Sequence, residues 1–213
     1  MSTLRQAQGA EGAEGPAQGV EGAARGVDGA ARGVDGAARG VDGAALGGVD
    51  VAIRPWPLAV ALRLVGGSGL DPADGTSWHP DYPLPDTVDA LQMLLTSHRA
   101  MGTLAGLPRW WVHEIWVAGQ VVGDVGFHGP PPASGPVVVE IGYAVVPALR
   151  GRGIASRACA LLLERAWQDG ASQVLAETDA DNVASQAVLR HNGFRRRLSG
   201  DFAVSRATTP VPG

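Results

Sequence analysis

One segment constrains the fold of this chain more than any other: an apolar strand that runs into a glycine-rich loop and then into an amphipathic helix. The strand covers residues 137–146 and ends at Pro147, and the helix covers residues 151–169. Apolar side chains recur at helical spacing and share one stripe of that helix: Ile154, Ala158, Leu161 and Leu162. A strand, a loop and a helix in this order predict a mixed α/β domain.

The loop between strand and helix, ALRGRGIAS, has the chemistry of an anion site. The first N–H groups of a helix lack intrahelical partners, and the helix dipole favours negative charge beside them. Arg150 and Arg152 add positive charge that suits a pyrophosphate. The loop lacks both the Gly-Lys-Ser/Thr of a P-loop and a full G-x-G-x-x-G fingerprint. Taken alone, Gly151 and Gly153 would equally fit a tight turn with solvated arginines.

Two motifs make the chain resemble the GNAT superfamily of N-acetyltransferases. The run RGRGIA, residues 150–155, is similar to that family's R/Q-x-x-G-x-G/A acetyl-CoA loop, and EIGYAVVP before it resembles its fourth strand. Residues 176–194 contain N-x-x-S-x-x-V-L-x-x-x-G-F, which resembles the RimJ/RimL-like branch that acetylates ribosomal-protein N-termini. The resemblance is specific over residues 137–194 and diffuse over residues 58–129.

The resemblance implies a mostly antiparallel mixed sheet of six to seven strands, flanked by about four helices, with acetyl-CoA in a V-shaped opening between strands 4 and 5. The pantetheine arm of the cofactor would pair with strand backbone, and its pyrophosphate would rest on the loop amides. The implied cofactor-binding residues are Val145, Val146, Arg150, Gly151, Arg152, Gly153, Ile154, Ala155, Asn182 and Ser185. No metal is expected, because the five histidines lack ligand spacing.

Acetyl transfer to an amine needs a proton acceptor for the amine. Glu140 is our candidate, because it is the only charge in the apolar strand and a buried carboxyl group accepts protons better than one in water. Some GNAT enzymes are thought to use a glutamate at this place. Alternatively, Glu140 points outward or pairs with an arginine. Asp124 and Glu177 are weaker candidates.

The reaction also needs a proton donor for the departing thiolate. Many GNAT enzymes have a tyrosine in the last helix, where this chain has Leu189. Ser185 stands where the ribosomal-protein branch has a serine proposed for this role, although it would fit a helix surface equally well. Tyr143 and a water molecule are further options.

The amine pocket is expected in the first half of the domain. Trp78, His79 and Tyr82 lie in a proline-rich loop, and Trp110 precedes a predicted hairpin strand. Aromatic rings attract a cationic amine through cation–π interaction, although packing is the commoner fate of any single ring. The acceptor itself, whether a protein N-terminus or a small-molecule amine, is left open.

The remaining elements follow from periodicity, turn residues and capping residues. They are a first strand at residues 58–65, a helix from Asp86 or Thr87 to His98, a hairpin at residues 109–117 and 120–127, a strand at residues 174–178, a helix at residues 183–192 and one or two strands within residues 194–206.

The first 50 residues differ from the rest of the chain in composition and sequence pattern. From Gly19 a seven-residue unit, GVEGAAR or GVDGAAR, recurs with one large apolar residue and two glycines in each copy. This supplies only half of a coiled-coil seam, so we predict a disordered tail over residues 1–50 rather than a helical array. Residues 51–213 would form the acetyltransferase domain.

The composition limits the kinds of partner that the chain is expected to bind. The net charge is −4, so no general attraction to nucleic acid or to an anionic membrane is expected. The single cysteine, Cys159, suits a buried apolar role and a cytoplasmic protein, and a homodimer is kept open. Two rival functions remain: a catalytically inactive CoA-binding module of the same fold, and an interaction protein that works through its repeat tail.

Overall fold

The structure is a computed structural model that describes residues 49–68, 77–100, 102 and 109–206. Nearly all of the predicted disordered tail therefore lies outside the described residues. The described part of the chain forms one seven-stranded sheet with strand order β1-β2-β3-β4-β5-β7-β6. The strands are β1 Val51–Pro55, β2 Val112–Val117, β3 Gln120–Phe127, β4 Val138–Val145, β5 Gln173–Ala176, β6 Arg195–Arg196 and β7 Phe202–Ser205.

Four α-helices flank the sheet in the described residues: α1 Leu58–Val65, α2 Pro85–Ala100, α3 Ile154–Gln168 and α4 Val183–His191. Strands β4 and β5 are parallel, and every other pair of neighbours in the sheet is antiparallel. The predicted mixed, mostly antiparallel sheet with about four helices is thus confirmed.

The predicted first strand at residues 58–65 is wrong. Leu58–Val65 is helix α1, and the first strand is Val51–Pro55 instead. A short apolar run fits a buried strand and a buried helix equally well on periodicity alone. The helix wins because leucine, alanine and arginine favour it, and because the N–H groups of Val60 and Ala61 both reach the carbonyl of Pro57 at 3.0 Å.

The predicted hairpin is confirmed, although its first strand starts at Val112. Its two-residue turn consists of Ala118, with φ of 48°, and Gly119, with φ of 80°. Two positive φ angles are the mark of a type I′ turn, whose twist matches that of the flanking strands. The turn sets the register of the pairs next to it, Val117 with Gln120 and Trp116 with Val121, and an irregularity between Ile115 and Trp116 shifts the register beyond them.

The parallel pair β4 and β5 is short. Only Val138, Val139 and Glu140 pair with β5, whereas β4 continues to Val145. In the antiparallel ladder with β3, the N–H of His128 bonds the carbonyl of Glu140, and the N–H of Val146 bonds the carbonyl of Val122, both at 2.9 Å. Alternate residues of β4 therefore point their backbone groups away from β3, so β4 has an open edge beyond Glu140.

The two faces of the sheet carry different helices. Helix α3 packs on one face, against β1, β3 and β4, while the hydroxyl of Thr87 in α2 bonds Asp124 on the other face. Cys159 is fully buried in α3, as expected, and burial raises the pKa of its thiol to about 12.

Candidate active site

The glycine-rich loop leads from the end of β4 into helix α3. After a 3₁₀ turn, Pro147–Leu149, the backbone takes positive φ at Gly151 (73°) and at Gly153 (77°). Gly153 is the N-cap of α3 and has no side chain to cap the helix. The first intrahelical bond of the new helix runs from the N–H of Arg157 to the carbonyl of Gly153 at 3.0 Å.

The N–H groups of Ile154, Ala155 and Ser156 therefore have no intrahelical acceptor, as in the first turn of any helix. Because the cap is a glycine, no capping side chain competes for them. Asn192, the C-cap of α4, instead fixes this turn from the side, since its Nδ2 lies 3.2 Å from both the carbonyl oxygen and the Oγ of Ser156. The turn is held in place while its N–H groups stay available to an anion.

Three arginines surround this helix start. Arg150 and Arg152 are exposed, as a phosphate-binding role requires, and Arg157 of the first turn is a third exposed cation that sequence reasoning missed. The Nε of Arg150 donates to the carbonyl of Val145 at 2.9 Å, which ties the loop back to the end of β4. This arrangement can bind a pyrophosphate through backbone N–H groups and charge together.

The backbone N–H and C=O groups of Val145 and Val146, at the end of β4, point toward opposite edges of the strand. The N–H of Val146 bonds Val122 of β3, so it is not available to a pantetheine arm. Val145 pairs with Gly123 in the register that turns its own backbone groups toward the open edge. Of the two predicted residues, the structure places only Val145 beside the opening.

Two of the predicted catalytic residues come together on the α4 side of β4. The hydroxyl of Tyr143 lies 2.8 Å from Ser185 Oγ and donates to the Ser185 carbonyl at 3.1 Å. Burial raises the pKa of Tyr143 to about 12, so its hydroxyl keeps its proton at neutral pH. Asn182 caps α4 by accepting the Ser185 N–H at 3.0 Å, and Leu189, in the place of the usual tyrosine, is fully buried.

Glu140 lies on the opposite face of β4 from Tyr143, because side chains alternate along a strand. Its Oε1 is 2.9 Å from Nδ1 of His128, and 32% of its side chain is exposed, so it is less buried than the apolar strand suggests. His128 was not among the predicted site residues. Its sequence context, GFHGP, marks it only as the residue after β3, and the pairing depends on the β3 to β4 register.

Two more carboxyl groups lie further along the same face of the sheet. Asp124 accepts hydrogen bonds from Thr87 and from Tyr82, the latter at 3.4 Å, and burial raises its pKa to about 6. Glu114, opposite Asp124 on β2, accepts from Nε1 of Trp116 at 2.9 Å, and burial raises its pKa to about 7. Glu114 was missed, since nothing in VHEIWV shows which face it occupies.

The predicted aromatic pocket divides into two parts. Trp78 and Tyr82 pack together with ring centroids 5.3 Å apart, and both contact Trp56. The N–H of His79 bonds the carbonyl of Val121, so this group lies near the start of β3. Trp110 instead packs edge-on against Phe127, at the other end of β3. The structure therefore joins Trp78, His79 and Tyr82 and separates Trp110 from them.

Across the described ranges, no group of three or more histidine, cysteine, aspartate or glutamate side chains could hold a metal ion. No helix in the part of the chain that the structure describes is both long and apolar enough to cross a membrane.

Comparison with solved structures finds the same fold. RimJ of Mycobacterium smegmatis, solved in complex with CoA-disulfide, is 22% identical, with a TM-score of 0.50 over 73% of this chain and 81% of that chain. The yncA protein of Salmonella typhimurium, solved with acetyl-CoA, is 18% identical, with a TM-score of 0.49 over 76% and 98%. Because the sequence identity to RimJ is only 22%, the similarity shows that the two chains share a fold and nothing more.

No curated protein sequence matches the chain. The family model described as "Acetyltransferase (GNAT) domain" matches residues 61–195. The matched segment contains the open edge of β4, the glycine-rich loop and the paired Tyr143 and Ser185, and it spans more than half of the chain. The chain belongs to the GNAT acetyltransferase family.

Proposed function

We propose that this protein is an N-acetyltransferase that moves an acetyl group from acetyl-CoA to a primary amine by direct attack. The observation that carries the proposal is the open edge of β4, which begins where β5 leaves it at Glu140 and runs straight into the glycine-rich loop. One continuous strip of backbone thus offers hydrogen-bonding groups for an extended arm and N–H groups for an anion.

The residues of this strip fit acetyl-CoA. The Val145 N–H would donate to a carbonyl of the pantetheine arm, because the Val145 carbonyl already accepts from Nε of Arg150. The N–H groups at the start of α3 and the charges of Arg150 and Arg152 would hold the pyrophosphate. Asn182 and Ser185 would line the arm from the α4 side, where Asn182 already orients Ser185.

Bound acetyl-CoA supplies an acetyl thioester, whose carbonyl carbon bonds to the amine nitrogen as the carbon–sulfur bond breaks. The chain's own residues then have two tasks, on opposite faces of β4. On the face of Glu140, a proton leaves the amine. On the face of Tyr143 and Ser185, a hydroxyl that keeps its proton at neutral pH can donate it to the departing sulfur.

For the acceptor, we propose a protein N-terminus or a small-molecule amine. Trp78 is half-buried and packs on the buried rings of Trp56 and Tyr82, so among these three rings it is the one that a cation could contact. Tyr82 bonds the buried carboxyl group of Asp124, which lies opposite Glu114 in the sheet. A cytoplasmic location and a homodimer remain predictions from the sequence.

A second candidate is an inactive CoA-binding module, and one observation favours it. Leu189 fills the place of the family's usual tyrosine and is fully buried, so no hydroxyl from that position reaches the opening. The interaction protein that works through its repeat tail remains a third possibility, since the tail lies outside the described residues.

The test combines binding and turnover. Acetyl-CoA should raise the melting temperature of the wild type and release free thiol in the presence of a suitable amine from a panel of peptides and small molecules. Arg150→Gln should weaken the thermal shift, while Arg195→Gln, an exposed arginine on β6, should not. Binding without thiol release for any amine would favour the inactive module, and no binding would refute both.

A further inference from the structure

The imidazole of His128 occupies a defined place on β4. Its Nδ1 lies 2.9 Å from Oε1 of Glu140, and its backbone N–H bonds the Glu140 carbonyl at 2.9 Å. The ring lies over Gly142 so closely that a Cβ atom at that residue would be 2.6 Å from His128 Nε2. Glycine at position 142 is therefore what allows the ring to rest on the strand.

The contact with Glu140 determines which ring nitrogen carries the proton. An ionised carboxylate only accepts hydrogen bonds, so Nδ1 must be the donor. In the neutral ring the lone pair is then on Nε2. Within the described residues, Nε2 has no hydrogen-bond partner from the protein, and 36% of the His128 side chain is exposed.

This nitrogen lies where the sheet opens. Glu140 is the last residue of β4 that pairs with β5, and Gly142 is the second residue beyond that point. The proposed acetyl donor would enter along the same stretch of β4. His128 Nε2 is thus a proton acceptor at the start of the opening, on the face away from Tyr143.

We propose that His128 is the catalytic base and that Glu140 is a positioning residue that holds the imidazole and fixes its tautomer. This inference rests on the proposed acetyltransferase function and names the group that completes its amine side. An ammonium acceptor first loses one proton to Nε2, which passes it to solvent. The nitrogen then bonds to the acetyl carbon as the carbon–sulfur bond breaks, and its second proton ends on the sulfur. Acetyl-CoA and an ammonium ion thus give an amide, CoA with a free thiol and one proton.

The first test reads the imidazole directly and needs no activity. In long-range ¹H–¹⁵N NMR spectra of the wild type, the neutral His128 ring should show a protonated Nδ1 and an unprotonated Nε2. Glu140→Ala removes the acceptor and should change the tautomer balance. A wild-type ring with the proton on Nε2 would overturn the proposal.

The second test separates catalysis from binding. His128→Gln should lower kcat about a hundredfold or more, the usual contribution of a general base, with acetyl-CoA affinity changed less than twofold. Gly142→Ala should act in the same direction by displacing the ring, whereas Gly129→Ala, which has open space around it and no positive φ, should leave kcat unchanged.

The outcomes distinguish this inference from the function on which it rests. If the wild type acetylates an amine and His128→Gln keeps most of its kcat, the base is another group and only this inference fails. If the wild type acetylates no amine at all, the proposed function fails and the catalytic role of His128 fails with it. A loss of activity in Gly129→Ala equal to that in Gly142→Ala would also count against the imidazole.

Discussion

The two faces of strand β4 carry different chemistry at nearly the same point of the sheet. On one face, the half-buried Tyr143 bonds Ser185 of α4 through its hydroxyl, and partial burial raises its pKa to about 12. On the other face, Glu140 is about one-third exposed and its partner is the imidazole of His128. The Tyr143 hydroxyl keeps its proton at neutral pH, whereas the groups on the other face, Glu140 and His128, are proton acceptors.

A single strand can therefore serve both ends of a transfer reaction. Alternation along β4 sends Glu140 and Tyr143 to opposite sides, while the open backbone edge between them is available to the acetyl donor. The two groups are kept on opposite sides of the strand, so substitutions on the two faces should have separable effects.

The largest effect is expected on the Glu140 face. Glu140→Gln removes the charge that orients His128 and should lower kcat about a hundredfold, because general base catalysis contributes at least that much. Stopped assays of product formation at saturating acetyl-CoA measure this directly. Glu177→Gln is a matched control, since Glu177 was only a weaker candidate carboxylate, and a similar loss there would point to a general effect of charge.

The next effect concerns stability and its pH dependence. Burial raises the pKa of Asp124 from 3.8 to about 6. Between these values the unfolded chain has already lost the proton that the folded chain keeps, so the contribution of this group to stability is present at low pH and is lost as the pH rises through 6. Asp124→Asn cannot ionise, so wild type should lose on the order of 2 kcal/mol relative to it between pH 4 and 7.

The measurement is urea unfolding of both proteins across this pH range. Subtracting the two free energies of unfolding removes the contributions of the other titratable groups, which both proteins share. One such group is His113, whose pKa burial lowers to about 4, with the charge of Arg165 acting in the same direction. The contribution of His113 to the free energy of unfolding has the opposite pH dependence: it is present above pH 6.5 and is lost as the pH falls toward 4. Parallel stability curves for wild type and Asp124→Asn would contradict the burial of this carboxyl group.

A smaller effect is expected where the open edge meets the loop. Arg150→Gln should raise the acetyl-CoA dissociation constant about tenfold, because it removes one charge-assisted contact at an exposed site and the bond to Val145. Calorimetry with CoA and with pantetheine, which has no phosphate group, distinguishes the phosphate contact from a general distortion. Equal loss for both ligands would mean that Arg150 shapes the edge of β4 rather than binding phosphate.

The smallest single effects are expected on the Tyr143 face. Tyr143→Phe and Ser185→Ala each leave one hydroxyl in place, so each should lower kcat only about fivefold, the value of one hydrogen bond. The double variant should lower kcat by more than the product of the two single reductions, because neither hydroxyl then remains. An additive double variant would show that the two hydroxyl groups do not substitute for each other.

The second half of the domain was predictable because its signals are local. The apolar run of β4, the proline that ends it and the glycines of the loop each act within a few residues, and so does the Asn182 cap of α4. The first half was less predictable. The run LAVALRLV fits a strand and a helix equally well on periodicity, and the helix propensity of its residues and the helix start at Pro57 make it α1.

The amine side of the site could not be derived from sequence for a different reason. His128 meets Glu140, and Glu114 lies opposite Asp124, only because the strand registers place them so. Trp110 and Trp78 are the same residue type, yet they lie near opposite ends of β3. Residue type predicted the chemistry of this face, and register determined which residues share it.

The most direct test of the account is the detection of an acetylated amine. Purified wild-type protein, acetyl-CoA and a panel of peptides and small amines are incubated together, and products are identified by mass spectrometry beside a free-thiol assay. We expect an acetylated product with one free thiol for each acetyl group transferred, and strongly reduced formation of both by Glu140→Gln. Saturable binding of acetyl-CoA with no acetylated amine from any acceptor would contradict it.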